Sequence, residues 1–214
     1  MTLTAGTDSA TRTFTAKGRA TRQRIVDAAS KLILENGVES ATLEEIQAEA
    51  HVSASQLYHY FTDKSALILA VIDHQTEAVL GVHRHVLDRL DSFEALVEWR
   101  DLIVSTLEAQ NCVGGCPLGS LAGGLAESDP IARGALANSF DEWERMLRDG
   151  LNNMRDRGVL KPEVDVDALA LSVLAGVQGG LLLSQTRRDS SPVRIAVDTS
   201  IAYLRTLAPL RSNS

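Results

Sequence analysis

Residues 42–64 read TLEEIQAEAHVSASQLYHYFTDK, and this short stretch carries two helix-start signals. Thr42 with Glu45 fits a capping box, in which each side chain satisfies the other residue's backbone N–H, and Ser53 with Gln56 fits a second one. One helix therefore begins after Thr42, with Ile46 and Ala50 as its small apolar side. Another begins after Ser53, with Leu57 and Phe61 at i,i+4 as its buried face. Between them the chain must turn within Ala50–His51–Val52. The residues left outward on the second helix, Ala54, Ser55, Gln56, Tyr58 and His59, are small or hydrogen-bonding. A helix that enters a DNA groove needs such side chains to approach base edges and phosphates.

Upstream, Ile25, Ala28, Ala29, Leu32 and Ile33 repeat at helical spacing, so a first helix is predicted from about Gly18 to Glu35, with Asn36–Gly37 as an αL-type stop. Downstream, Asp63 caps a long helix from Lys64 to about Leu90 that is apolar on much of its circumference and connects a head to a body. Ser92 caps a helix carrying Leu96, Trp99, Ile103 and Leu107 to near Asn111. Gly114–Gly115 and Pro117 then break the chain. A short helix is predicted over Leu118–Ala126, and Asp129–Pro130 starts a longer one that stops at Gly158. Asp165 caps an apolar helix containing Gly176, Gly179 and Gly180, small residues that permit close helix contact, and the last helix runs from Pro192 to about Leu207. No strand alternation competes. The pattern predicts an all-α, nine-helix, two-domain architecture: an N-terminal arm over 1–16, a three-helix head over 17–64 and a body over 65–210.

The net charge of −7 argues against a protein that coats nucleic acid by bulk electrostatics. Its distribution is more telling: residues 1–34 hold six Lys/Arg against two acids, whereas residues 65–214 hold 14 against 20. A locally basic end on an acidic body suits a DNA-binding head whose larger part must not bind DNA. Cys112 and Cys116 stand four apart without a nearby His pair, which supports neither a disulfide framework nor a zinc site; buried small hydrophobes are expected. His74, His83 and His85 lack a third ligand at matching spacing, so no metal is expected. No nucleophile–base pair, carboxylate dyad or phosphate loop supports catalysis, and no cofactor is implied. The first residues lack the apolar core of a signal peptide, and no window approaches 18 consecutive apolar residues. A soluble cytoplasmic protein is expected, without a membrane partner.

A first helix with an Asn-Gly stop, then Thr42-Leu43-x-x-Ile46, a turn, Val52-Ser53, and Leu57-Tyr58-x-Tyr60-Phe61-x-x-Lys64 resembles the N-terminal domain of the TetR family of bacterial transcriptional regulators. Gly115-Cys116-Pro117-Leu118-Gly119-Ser120-Leu121, with Gln178-Gly179-Gly180-Leu181, is similar to the LmrA/YxaF-like branch. One departure is His51, where the family commonly has Gly. The resemblance implies a homodimeric regulator of double-stranded operator DNA, most simply a repressor, with activation as the alternative. It implies that Ala54, Ser55 and Gln56 face the major groove beside Ser53, while Thr42, Tyr58, His59 and Lys64 hold phosphates. Gln56 has two possible roles, base contact and helix cap. The resemblance also places the helices bearing Trp99, Phe140, Trp143 and Met146 around a pocket for a lipophilic or aromatic effector, with ordinary core as the alternative for each. Cys116 is counted with them, and Gln178, a polar residue within an apolar helix, is expected to orient the effector or to pair across a dimer interface.

Overall fold

The computed structural model describes residues 14–209, and among them it contains nine helices and no strand. The helices are α1 (Ala16–Asn36), α2 (Leu43–Ala50), α3 (Ala54–Tyr60), α4 (Lys64–Leu87), α5 (Phe93–Ala109), α6 (Pro117–Leu125), α7 (Pro130–Asp156), α8 (Val166–Arg187) and α9 (Ser191–Thr206). Residues 1–13 of the expected arm lie outside the described residues. The helix begins two residues before the predicted Gly18, because the Thr15 hydroxyl accepts the Gly18 N–H at 3.2 Å. At its other end Gly37 has φ 87° and ψ 158°, a left-handed φ with an extended ψ. The predicted αL stop is therefore replaced by a sharper exit that only a residue without Cβ takes easily.

Helices α1–α3 close a small core in which Ile25, Ala29, Ile46, Leu57 and Phe61 are buried. Helix α4 packs on α1 and, further along, on α5, α6 and α7. Gln75 and Thr76 mark the change of partner: the Gln75 amide donates to Ser30 Oγ on α1, and Thr76 Oγ1 shares a 2.8 Å hydrogen bond with Ser139 Oγ on α7. The α-helix ends at Leu87, short of the predicted Leu90. There the N–H groups of Arg89 and Leu90 bond to carbonyls three residues back, at 3.2 and 3.1 Å, tightening the last turn.

The body ends in the antiparallel pair α8–α9. A Cβ at Gly180 would lie 2.6 Å from Val193 Cα, so the glycine sets how closely α9 approaches. Ser184, fully buried, accepts the Val193 N–H at 3.2 Å and serves α9 in place of an N-cap, since Ser190 makes no such bond. Gly179 meets nothing within 4 Å, and Leu171, Leu182, Ile195 and Tyr203 on these two helices are exposed. By length and composition α4 and α8 could each cross a membrane, but α4 packs on α1 and α5–α7, and α8 on α7 and α9.

Gly180→Ala is expected to destabilise the fold by about 1–3 kcal/mol through overpacking against backbone. Gly134→Ala, on an exposed face of α7 with nothing within 4 Å, should stabilise it by about 1 kcal/mol. Urea denaturation followed by far-UV circular dichroism checks both signs.

Candidate nucleic-acid interface and buried cavity

Both capping boxes of the head are formed. Thr42 Oγ1 accepts from Glu45 N–H at 3.2 Å while the Glu45 carboxylate accepts from Thr42 N–H at 3.0 Å, which holds the carboxyl below its ordinary range. Ser53 Oγ accepts from Gln56 N–H at 3.2 Å, and Gln56 Oε1 accepts from Ser53 N–H at 2.9 Å. Between them His51 sits in the left-handed region at φ 52°, ψ 49°. The His51 N–H bonds to Ala48 O and the Val52 N–H to Gln47 O, the pairing of a Schellman stop. His is among the non-glycine residues that tolerate this region, so the departure at position 51 leaves the turn intact.

This geometry leaves Ser53, Ala54, Ser55, Gln56, Tyr58 and His59 exposed along α3 while Leu57 anchors it from below. The Gln56 cap occupies one lone pair of Oε1 and, among the described residues, leaves its NH₂ group without a bond. The Thr42 hydroxyl is committed to α2. Lys64 Nζ donates to Val38 O at 2.9 Å, tying the start of α4 to the α1–α2 connection with one of its three donors. The Phe14 ring packs 5.1 Å from Tyr60 and 6.2 Å from His59 between centroids. That contact brings the N-terminus of α1, with exposed Lys17, Arg19 and Arg24, beside the end of α3. The periodicity of helix one gave no sign of it, because Phe14 precedes the helix.

A cavity of about 270 Å³ lies in the body and opens to the surface beside Ala78, Val82, Thr106 and Gln110. Helix α4 lines it with Gln75, Val79 and His83, α5 with Ile103 and Leu107, the turn into α6 with Cys116, α7 with Trp143 and α8 with Leu181. His83 stacks on Trp143 with centroids 4.4 Å apart and accepts at Nδ1 from Trp99 Nε1–H at 3.1 Å. Burial lowers its pKa from the ordinary 6.5 to about 4, so the ring is neutral at pH 7. Burial also raises the Cys116 pKa, keeping it a thiol, and both cysteines are free and buried.

Family models describing the tetR family of bacterial regulatory proteins and the LmrA/YxaF-like C-terminal domain of transcriptional regulators match residues 25–71 and 92–199, respectively. The chain belongs to the TetR family. Similar proteins include an HTH-type transcriptional regulator from the lacX 3′ region of Lactococcus lactis subsp. lactis, 28% identical, with 80% of this chain and 86% of that one covered. The HTH-type transcriptional repressor DhaR of Mycobacterium sp. is 23% identical, with coverages of 80% and 86%. The crystal structure of a TetR transcriptional regulator from Chloroflexus aurantiacus is similar at a TM-score of 0.74 and 26% identity, covering 88% of this chain and 96% of that one. Membership makes the chain a DNA-binding transcriptional regulator.

Of the pocket residues expected from sequence, Trp143 and Cys116 stand on the cavity wall of this regulator. Trp99 is fully buried behind His83, and Phe140 and Met146 are half-buried on α7 and pack on the core away from that wall. Gln178 lies beside Cys116, across Gly119, and its side chain partly holds the Cys116 pKa down against burial, while its Nε2 has no other hydrogen-bond partner among the described residues. Sequence reasoning missed Gln75 and His83. The signal was available, since both are polar residues on the apolar α4.

Between pH 6.5 and 4 the unfolded chain takes up a proton that folded His83 refuses, so acidification costs stability, roughly 3 kcal/mol once below the folded pKa of about 4. Urea titrations across this range should show stability falling with pH, and His83→Gln should remove that part of the slope.

Proposed function

We propose that the protein is a cytoplasmic, homodimeric repressor that leaves a pseudo-palindromic operator when a small lipophilic effector enters the α4–α7 cavity. The observation that carries this reading is Gln75, which lines the cavity and donates to Ser30 of α1 in the DNA-binding head. An effector that draws on the Gln75 amide or displaces α4 changes a bond on which the position of α1 depends. Its effect is bounded by its difference in affinity for the two states. The name of the relative DhaR supports repression. Exposed Leu171, Leu182, Ile195 and Tyr203 support a two-fold interface built from α8 and α9, with each subunit giving one α3 to one half-site.

On α3, Ala54, Ser55 and the free NH₂ of Gln56 meet base edges beside Ser53, while Tyr58, His59 and the remaining Lys64 donors hold phosphates together with the basic start of α1. Thr42 contributes through the N-terminus of α2 that it caps.

Operator DNA selected from fragments flanking its own gene provides the assay. Tyr58→Ala is expected to weaken operator binding roughly tenfold in a gel-shift titration at fixed salt; unchanged affinity removes Tyr58 from the interface. Leu182→Glu should give a monomer by light scattering with unchanged helicity and lost operator binding, whereas a dimer that still binds would refute the α8–α9 interface. With Ser30→Ala the operator should still bind, but saturating effector should dissociate it less than in the native chain.

A further inference from the structure

The wall of the cavity holds hydrogen-bond donors that the protein leaves unused. Trp143 is buried and its Nε1–H has no partner among the described residues. An indole nitrogen only donates. His83 accepts at Nδ1 from Trp99 Nε1–H at 3.1 Å, so its neutral ring carries the proton on Nε2. Among the described residues nothing accepts a hydrogen bond from that Nε2–H. Trp99, out of reach of any ligand, thus turns His83 into a donor. The two unused donors sit on rings stacked with centroids 4.4 Å apart, and both residues line the cavity.

The same wall carries no Asp, Glu, Lys or Arg. A charged ligand would lose much of its hydration there without gaining a counter-charge, which disfavours it against a neutral one. A hydroxyl compound would bring a proton for which neither ring offers an acceptor, and would have to turn it to Gln75, Thr106 or Gln110 elsewhere on the wall. A carbonyl oxygen has two lone pairs and no proton, and so matches two donors that lack an acceptor. The volume of about 270 Å³ falls just below the range of about 300–1,000 Å³ usual for drug-sized ligands, and Val79, Ile103, Leu107 and Leu181 supply hydrocarbon surface.

We infer that this cavity selects a small, uncharged, largely hydrocarbon carbonyl compound whose oxygen accepts hydrogen bonds from Trp143 Nε1 and His83 Nε2. The inference rests on the reading of the cavity as the effector site, and it adds the chemistry by which that effector is told from a plain hydrocarbon or an acid.

Three compounds on one skeleton test it: 1-tetralone, tetralin and tetralin-1-carboxylate. Each is titrated into the full-length protein with tryptophan emission as the readout, because the chain has two Trp residues, one on the wall and one behind His83. The ketone should bind about tenfold more tightly than the hydrocarbon, and the carboxylate most weakly. In Trp143→Phe, read through Trp99, the advantage of the ketone should fall to about threefold or less while tetralin affinity stays nearly the same. Equal affinities for tetralone and tetralin in the native protein, or tightest binding of the carboxylate, overturn the carbonyl assignment and leave the cavity a binding site. If none of the three binds by fluorescence or calorimetry, the effector-cavity reading fails and the assignment with it.

Discussion

Helix α4 has to bury side chains against two different neighbours, and the arrangement of the molecule follows from that constraint. Its Gln75 amide is bonded to Ser30 of α1, and the very next residue, Thr76, is bonded to Ser139 of α7. Further along, Arg84 reaches Glu142 of α7 at 3.0 Å. Leaving a buried amide or hydroxyl unpaired costs about 1–3 kcal/mol, so α4 cannot slide or rotate against one neighbour without penalty at the other. The two bonds hold α4 in one register against α1 and α7 together. Gln75 is the residue where this constraint meets the cavity.

Helix starts were more legible in the sequence than helix ends, for a local reason. Thr42, Ser53, Asp63, Ser92, Asp129 and Asp165 each accept from a backbone N–H two or three residues on, which needs no partner from elsewhere in the chain. Thr15 makes the same bond but was missed, because it precedes the first apolar repeat. Ends depend on what the chain does next: the Gly37 exit and the tightened turn after Leu87 both answer to packing that the local pattern does not encode.

The two sites differ in the same way. Exposure along α3 follows directly from helical period once Leu57 and Phe61 are taken as the buried side, so the outward set could be read in advance. The cavity wall could not, since it depends on how α4, α5 and α7 are rotated about their axes. Trp99 and Trp143 look alike as aromatics on apolar helix faces, yet one lies behind His83 and the other faces the cavity. The clue that survives without coordinates is a polar residue on an apolar helix, as at Gln75 and His83, because it must find a partner or be kept for one.

If the cavity and the α3 face are coupled through α4, ligand and operator must weaken each other's binding by the same factor. The most direct measurement is therefore the affinity of a cavity ligand, read by tryptophan fluorescence, with and without saturating operator DNA, set beside the affinity of the operator with and without saturating ligand. The account predicts two equal factors, each well above one. A ligand affinity unchanged by operator DNA would contradict it.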